Sequence, residues 1–213
     1  MEGNAKIGLT GEMTALIRAE QGDRYSKYFI TSRVKFIYRM ARFFISNEKL
    51  QAIFENRNAL SKKFEEIVNN YNPAQIIEMA AGMSTFGFRW LEKHPESIYV
   101  ESDLDSVIKK KFEIVQNNKI LQRRNHYFVT IDVLKDDVYS KVSKFLDSKK
   151  KTLIIAEGLA PYFSSQEFEV FVKNIRVFFK KFGYGAFLVH DKKEIETKLL
   201  RRVISLITGS KSY

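Results

Sequence analysis

The 213-residue sequence contains no cysteine. That excludes a disulfide, a thiolate nucleophile and a cysteine-ligated zinc ion; no metal site is expected. Histidine is scarce, with three in the chain, so imidazole bases are few. No apolar run approaches the roughly 20 residues of a membrane-spanning helix, so no stable membrane insertion is expected. The N-terminus, MEGNAKIGLTGEMTAL, has an early acid and no cleavable apolar core. It does not read as a signal peptide, and a cytoplasmic protein is the expectation. There is no low-complexity segment, internal repeat or Gly/Ser linker. The formal net charge is +11, yet no single basic tract carries it. Lysines fall in small groups such as 109–111 and 149–151. This favours a lysine-rich surface over a nucleic-acid footprint, and nucleic acid is not the expected partner.

What is present is enough apolar residue for one substantial core: 45% hydrophobic and 14% aromatic. Residues 1–72 read as helices. The stretch 18–50 mixes bases with Tyr25, Tyr28, Phe29, Phe36, Tyr38, Phe43 and Phe44, spaced mostly by three and four. Such a basic amphipathic helix can lie on a membrane; a helix covering an active site is the preferred reading. A further helix over 59–71 ends at Asn72-Pro73. From residue 73 strands alternate with helices. Strands are expected at 75–79, 98–102, 127–131, 152–156 and 185–189, and helices at 86–93, 104–117, 137–147 and 165–181. Alternation of this kind predicts a parallel α/β sheet with helices on both faces. Two units follow: a helical lid over 1–72 and the sheet domain over 73–213.

The segment 76–87, IIEMAAGMSTFG, carries most of the functional signal. A buried strand runs into the small-residue turn Ala80-Ala81-Gly82, and Ser84 or Thr85 caps the helix that follows. Small side chains let a nucleotide-like ligand approach the backbone. The dinucleotide fingerprint is missing, because residues 80 and 85 are Ala and Thr. Glu78, just before the turn, suits S-adenosylmethionine, which has no pyrophosphate for a carboxylate to repel. Ligands of such sheets sit at the strands' C-terminal ends. Acids stand at or just past each of these ends: Glu78, Asp103, Asp132, Glu157 and Asp191. Asp103, 21 residues past Gly82, has the spacing of an acid that accepts from ribose hydroxyls. Asp132 either bonds an adenine amino group or caps a helix.

Four ordered segments, IIEMAAGMSTFGFRWL, YVESDLDSVIKKK, VTIDV and IAEGLAPYF, resemble the leucine carboxyl methyltransferase family, which includes bacterial polyketide O-methyltransferases. The matches are Glu78, Ala81, Gly82, Thr85 and Arg89; Glu101, Asp103, Val107 and Lys111; and Glu157, Gly158 and Tyr162. Departures are Ala80 for a glycine, Ser84 for an aspartate and Phe86 for an arginine. The resemblance implies a Rossmann-like class I methyltransferase sheet in the order 3-2-1-4-5 and S-adenosylmethionine as methyl donor. It implies that Arg57 pairs with the donor carboxylate, so Arg57→Ala is expected to weaken donor binding much more than Arg18→Ala. It also implies that Glu157 faces the donor's amino group or the transfer site, and that Asp132 with Val133 frames the adenine. The family's C-terminal hairpin has no counterpart in the pattern after Asp191, where one helix over about 194–207 is expected.

The expected activity is O-methylation of a carboxylate or hydroxyl of a small molecule or peptide. Tyr162 and His190 are the candidates for a catalytic role. A carboxylate acceptor is preferred because it needs no base at neutral pH. An RNA-binding or RNA-modifying protein and an inactive donor-binding module are the competing classes.

Overall fold

The computed structural model describes the backbone of residues 2–44, 47–183 and 185–190, and the side chains of 11–40, 55, 59, 61–160, 162–183 and 185–189. Three helices come first: α1 (Glu2–Glu20), α2 (Ser32–Phe44) and α3 (Asn47–Tyr71). A 3-10 turn, Ser26–Phe29, joins the first two. Then follow β1 (Gln75–Met79), α4 (Phe86–Lys93), β2 (Ile98–Asp103), α5 (Asp105–Gln116), β3 (His126–Thr130), α6 (Val138–Val142), β4 (Thr152–Glu157), α7 (Ser165–Phe182) and β5 (Gly185–His190). All five strands are parallel, in the order β3-β2-β1-β4-β5. This is the expected Rossmann-like class I methyltransferase sheet.

Strand β1 lies at the centre because it is apolar on both faces. Ile77 and Met79 face a cluster with Val100, Ile154, Phe171 and Phe178; Ile76 faces Phe64, Phe86, Trp90 and Tyr99 on the other side. Burial on both faces is what makes the strand read as a continuous run. Helix α7 begins at a capping box, in which Ser164 and Glu167 satisfy each other's backbone N–H groups, and ends at Gly183 with φ +115°. A third apolar cluster joins Ala15, Tyr25 and Phe29 from the N-terminal segment to Met83, Phe88, Val107 and Leu121.

Three expected helices differ. The stretch 18–50 is not one helix: α1 ends at Glu20, the 3-10 turn Ser26–Phe29 follows, and α2 and α3 begin at Ser32 and Asn47. The helix over 59–71 is the last part of the longer α3. The helix over 137–147 is one short turn, α6, followed by a 3-10 turn at Ser143–Phe145. The expected helix over 194–207 and the expected absence of a C-terminal hairpin lie outside the described residues.

Gly87 on α4 shows how tightly the helix meets the sheet. A Cβ there would stand 2.9 Å from Glu101 Oε1 and from Tyr99 Cδ1 and Cε1. Both side chains are fully buried and held by other groups, so neither can step aside. Gly87→Ala is therefore expected to lower stability by roughly 1–3 kcal/mol, despite alanine's higher helix propensity. Urea denaturation of the two proteins measures it; an unchanged or higher midpoint contradicts this packing.

Candidate functional site

The turn after β1 is built by backbone and buried side chains together. Ala80 and Gly82 both take positive φ, +52° and +51°. Glycine adopts that conformation freely, whereas alanine is strained by about 1–2 kcal/mol. The substitution at residue 80 thus strains the backbone as well as adding a methyl group. Ala81 N–H donates to Ser102 O at 2.9 Å, and Ser84 N–H to Ala81 O at 2.8 Å. Thr85 stands at the N-cap of α4 but its side chain does not cap the helix backbone; Ser84 Oγ accepts from Phe86 N–H instead, at 3.2 Å. The Thr85 hydroxyl is turned to Asp23 and Arg89.

Asp103 closes β2. Its Oδ2 accepts from Gly82 N–H and its Oδ1 from Leu104 N–H, both at 2.7 Å. A carboxylate has about four acceptor positions, so two remain for outside donors. Burial pushes its pKa up, while the two backbone donors oppose that shift. The N-cap of α5 is Leu104, so Asp103 does not cap that helix.

Glu78 lies beneath the turn, almost wholly buried. The Tyr99 hydroxyl donates to its Oε2 at 2.6 Å. Burial, then the nearby Glu101 carboxylate, push its pKa up to about 7, with Lys111 opposing. Glu101 goes the other way: burial would raise its pKa, but Lys111 and His126 hold it below the ordinary value. His126 Nε2 stands 2.8 Å from Glu101 Oε1. The ammonium of Lys111 has no solvent exposure, pairs with Glu101 and donates to Ser84 O at 2.7 Å. Sequence matching picked out Glu101 and Lys111, but not that they form a buried cluster under the turn.

A cavity of about 400 Å³ opens over the C-terminal ends of β1, β2 and β4 and the loop after β3. Glu78, Gly82, Asp103, Asp132, Val133, Glu157 and Tyr162 all line it. Asp132 Oδ1 accepts from Leu134 N–H at 3.1 Å, which orders its own turn; the N-cap of α6 is Asp137. Tyr162 is 60% exposed at the rim. The backbone of His190 pairs with Glu157 in the sheet register, at the same end as the cavity; its side chain and that of Arg57 lie outside the described ones. Helix α1 covers the cavity with Gly11, Thr14 and Arg18. Arg18 bonds Glu157 Oε2 at 2.9 Å, and Ser61 from α3 donates to Oε1 at 3.2 Å. Arg18 is thus a cavity residue. No strand-end rule could find it, because it reaches the site from a helix 139 positions away in sequence.

Parallel strands in this order, with a largely apolar cavity that carries carboxylates over their C-terminal ends, are the doubly wound arrangement of a class I methyltransferase sheet. The chain belongs to the leucine carboxyl methyltransferase family, whose model matches residues 16–176. Among curated proteins no sequence matches it. Of solved structures, it is similar to a putative O-methyltransferase from Nostoc punctiforme PCC 73102, at 14% identity over 74% of this chain and 46% of that one, with a TM-score of 0.45. It is similar to a protein of Pyrococcus horikoshii OT3, at 19% identity over 69% and 64%, with a TM-score of 0.47. The glycopeptide N-methyltransferase MtfA, complexed with sinefungin, shares 16% identity over 61% and 49%, with a TM-score of 0.45. The chain thus spans 46% to 64% of the length of these structures.

Glu78 gives the site a pH signature. Its folded pKa, about 7, stands above its ordinary 4.5, so the folded state holds the extra proton between those values. The group's contribution to stability is therefore full below about pH 4.5 and is lost as pH rises through 7, on the order of 3 kcal/mol in all. Glu78→Gln keeps an acceptor for Tyr99 and cannot ionise. Its urea midpoint is expected to gain on the wild type steadily from pH 4.5 to 7.5. Parallel pH profiles refute the assignment.

Proposed function

We propose that the chain binds S-adenosylmethionine in this cavity and directs its methyl group to an oxygen of a small molecule or peptide. The observation that carries the reading is the turn at Gly82. A Cβ there would meet no protein atom within 4 Å, so the space over the turn is free for a ligand, with the half-satisfied Asp103 beside it. In this reading Asp103 accepts from the ribose hydroxyls and Asp132 with Val133 frames the adenine. Arg18, with Arg57, takes the donor's carboxylate, and Glu157 takes its ammonium. A guanidinium binds a carboxylate through two parallel N–H···O bonds. The donor, when bound, supplies a methyl group on a sulfonium that leaves as a neutral thioether. What the protein adds is alignment of the acceptor oxygen with that methyl group, and exclusion of water by α1.

Titration calorimetry with S-adenosylmethionine and its demethylated product tests the donor site. Arg18→Ala is expected to weaken binding by about 10- to 150-fold, the loss of one charge-assisted contact of about 1.5–3 kcal/mol. Lys109→Ala, on the exposed side of α5, is expected to leave it unchanged. No heat from either molecule with folded protein removes the reading.

A carboxylate acceptor is the preferred one, with His190 or Tyr162 serving only if the acceptor is a hydroxyl. Among the described side chains that line the cavity there is no imidazole and no lysine, and a carboxylate needs no base near pH 7. With an active acceptor in hand, His190→Ala is expected to keep most of the rate at every pH. A phenolic acceptor together with a loss of roughly 10²–10⁴-fold in His190→Ala replaces the carboxylate by a hydroxyl.

A further inference from the structure

Helix α2 presents a side that nothing in the methyl-transfer reading uses. Its sequence, SRVKFIYRMARFF, holds four bases and no acid. Val34 is buried and Ile37 and Tyr38 are half-buried, so that side of the helix packs on the protein. Phe36 and Met40, one turn apart, are 65% and 42% exposed. Arg33, Lys35 and Arg39 are exposed around them. The other large exposed apolar side chains among the described residues, Ile67, Phe112, Ile120, Tyr162 and Val170, stand on different elements.

We propose that α2 is an interfacial helix that docks the protein on an anionic lipid bilayer. Residues four apart lie on one face of a helix, so Phe36 and Met40 form a short apolar stripe. Bases beside such a stripe pair with anionic headgroups while the apolar side chains enter the boundary with the acyl chains. Long basic side chains also lay their stems on apolar surface and keep their charges in water. A second copy is a poor occupant, because a two-fold contact brings Arg33, Lys35 and Arg39 against the same three bases. Nucleic acid matches the charge but gives Met40 no apolar surface. The protein's net charge of +11 adds attraction of the same sign. The helix is not a membrane span: no helix among the described residues is long and apolar enough to cross a bilayer. This docking is independent of the donor-binding reading.

Co-sedimentation with vesicles tests it. One set is phosphatidylcholine alone, and the other is phosphatidylcholine with an equal part of phosphatidylglycerol. The wild type is expected to sediment with the mixed vesicles only and to be released by salt. Phe36→Ser with Met40→Ser, both exposed positions, is expected to weaken binding about tenfold or more. Arg33→Glu with Arg39→Glu is expected to abolish it. Far-UV circular dichroism shows that the variants are folded. Absence of binding to mixed vesicles overturns the proposal. So does equal binding by the apolar double variant, which leaves only general charge attraction. So does a dimer in gel filtration that this variant converts to monomer, because a second copy then covers the stripe.

Discussion

A lysine ammonium with no solvent exposure is the constraint around which the site is arranged. Lys111 comes from α5, one of its partners, Glu101, from β2, and the other, the Ser84 carbonyl, from the turn after β1. Three nearby parts of the chain, a turn, a strand and a helix, therefore share one charge. An unpaired buried charge costs several kcal/mol, so the ammonium and the Glu101 carboxylate each require the other. Burial, and then the charge of Glu101, raise the pKa of Glu78, so it takes the neutral form more readily than an ordinary carboxyl. Gly87 has no side chain where α4 passes over Glu101 and Tyr99. The turn at residues 80–84 thus rests on a fixed polar base, and its open side is left to the cavity.

The sheet was legible because its signals are local. Apolar runs bounded by polar residues mark strands, and the helices between them dictate parallel order. Acids at strand ends follow from the same rule, so Glu78, Asp103, Asp132 and Glu157 could be read as neighbours before any coordinate was known; all four line one cavity. Arg18 was not legible. It belongs to a helix with no strand-end rule to place it, and its meeting with Glu157 depends on how α1 crosses the sheet. The buried role of Lys111 was hidden for a different reason. In sequence it is one of three consecutive lysines, and only the helix rotation separates the buried one from the two that reach solvent. Short α6 was overdrawn because a run of polar and apolar residues does not reveal where a turn tightens to 3-10 geometry.

The N-terminal segment is attached to the sheet in two physically different ways. Polar ties include Arg18 with Glu157, Lys110 with Glu12, and Arg89 with both Asp23 and Glu65. Asp23 is held as a carboxylate: burial raises its pKa, but bonds from Thr85 and the Arg89 charge bring it below its ordinary value. Several of these side chains are largely buried, so desolvation offsets much of each attraction and the net contribution of a pair is small. The apolar tie is stronger. Ala15, Tyr25 and Phe29 are fully buried against Phe88, Leu121 and their neighbours. Fully burying one large apolar side chain is worth roughly 1.5–3 kcal/mol, so lifting this segment away as a unit exposes far more than the ion pairs return. Access to the cavity is cheaper where the attachment is polar or absent. Separation of Arg18 from Glu157 leaves the carboxylate still held by Ser61 at the cavity wall, and the exposed Tyr162 marks the open rim beside Phe163 and Glu167. A ligand that carries both a carboxylate and an ammonium can replace that ion pair with two new ones, so neither Arg18 nor Glu157 need be left without an opposite charge as it enters.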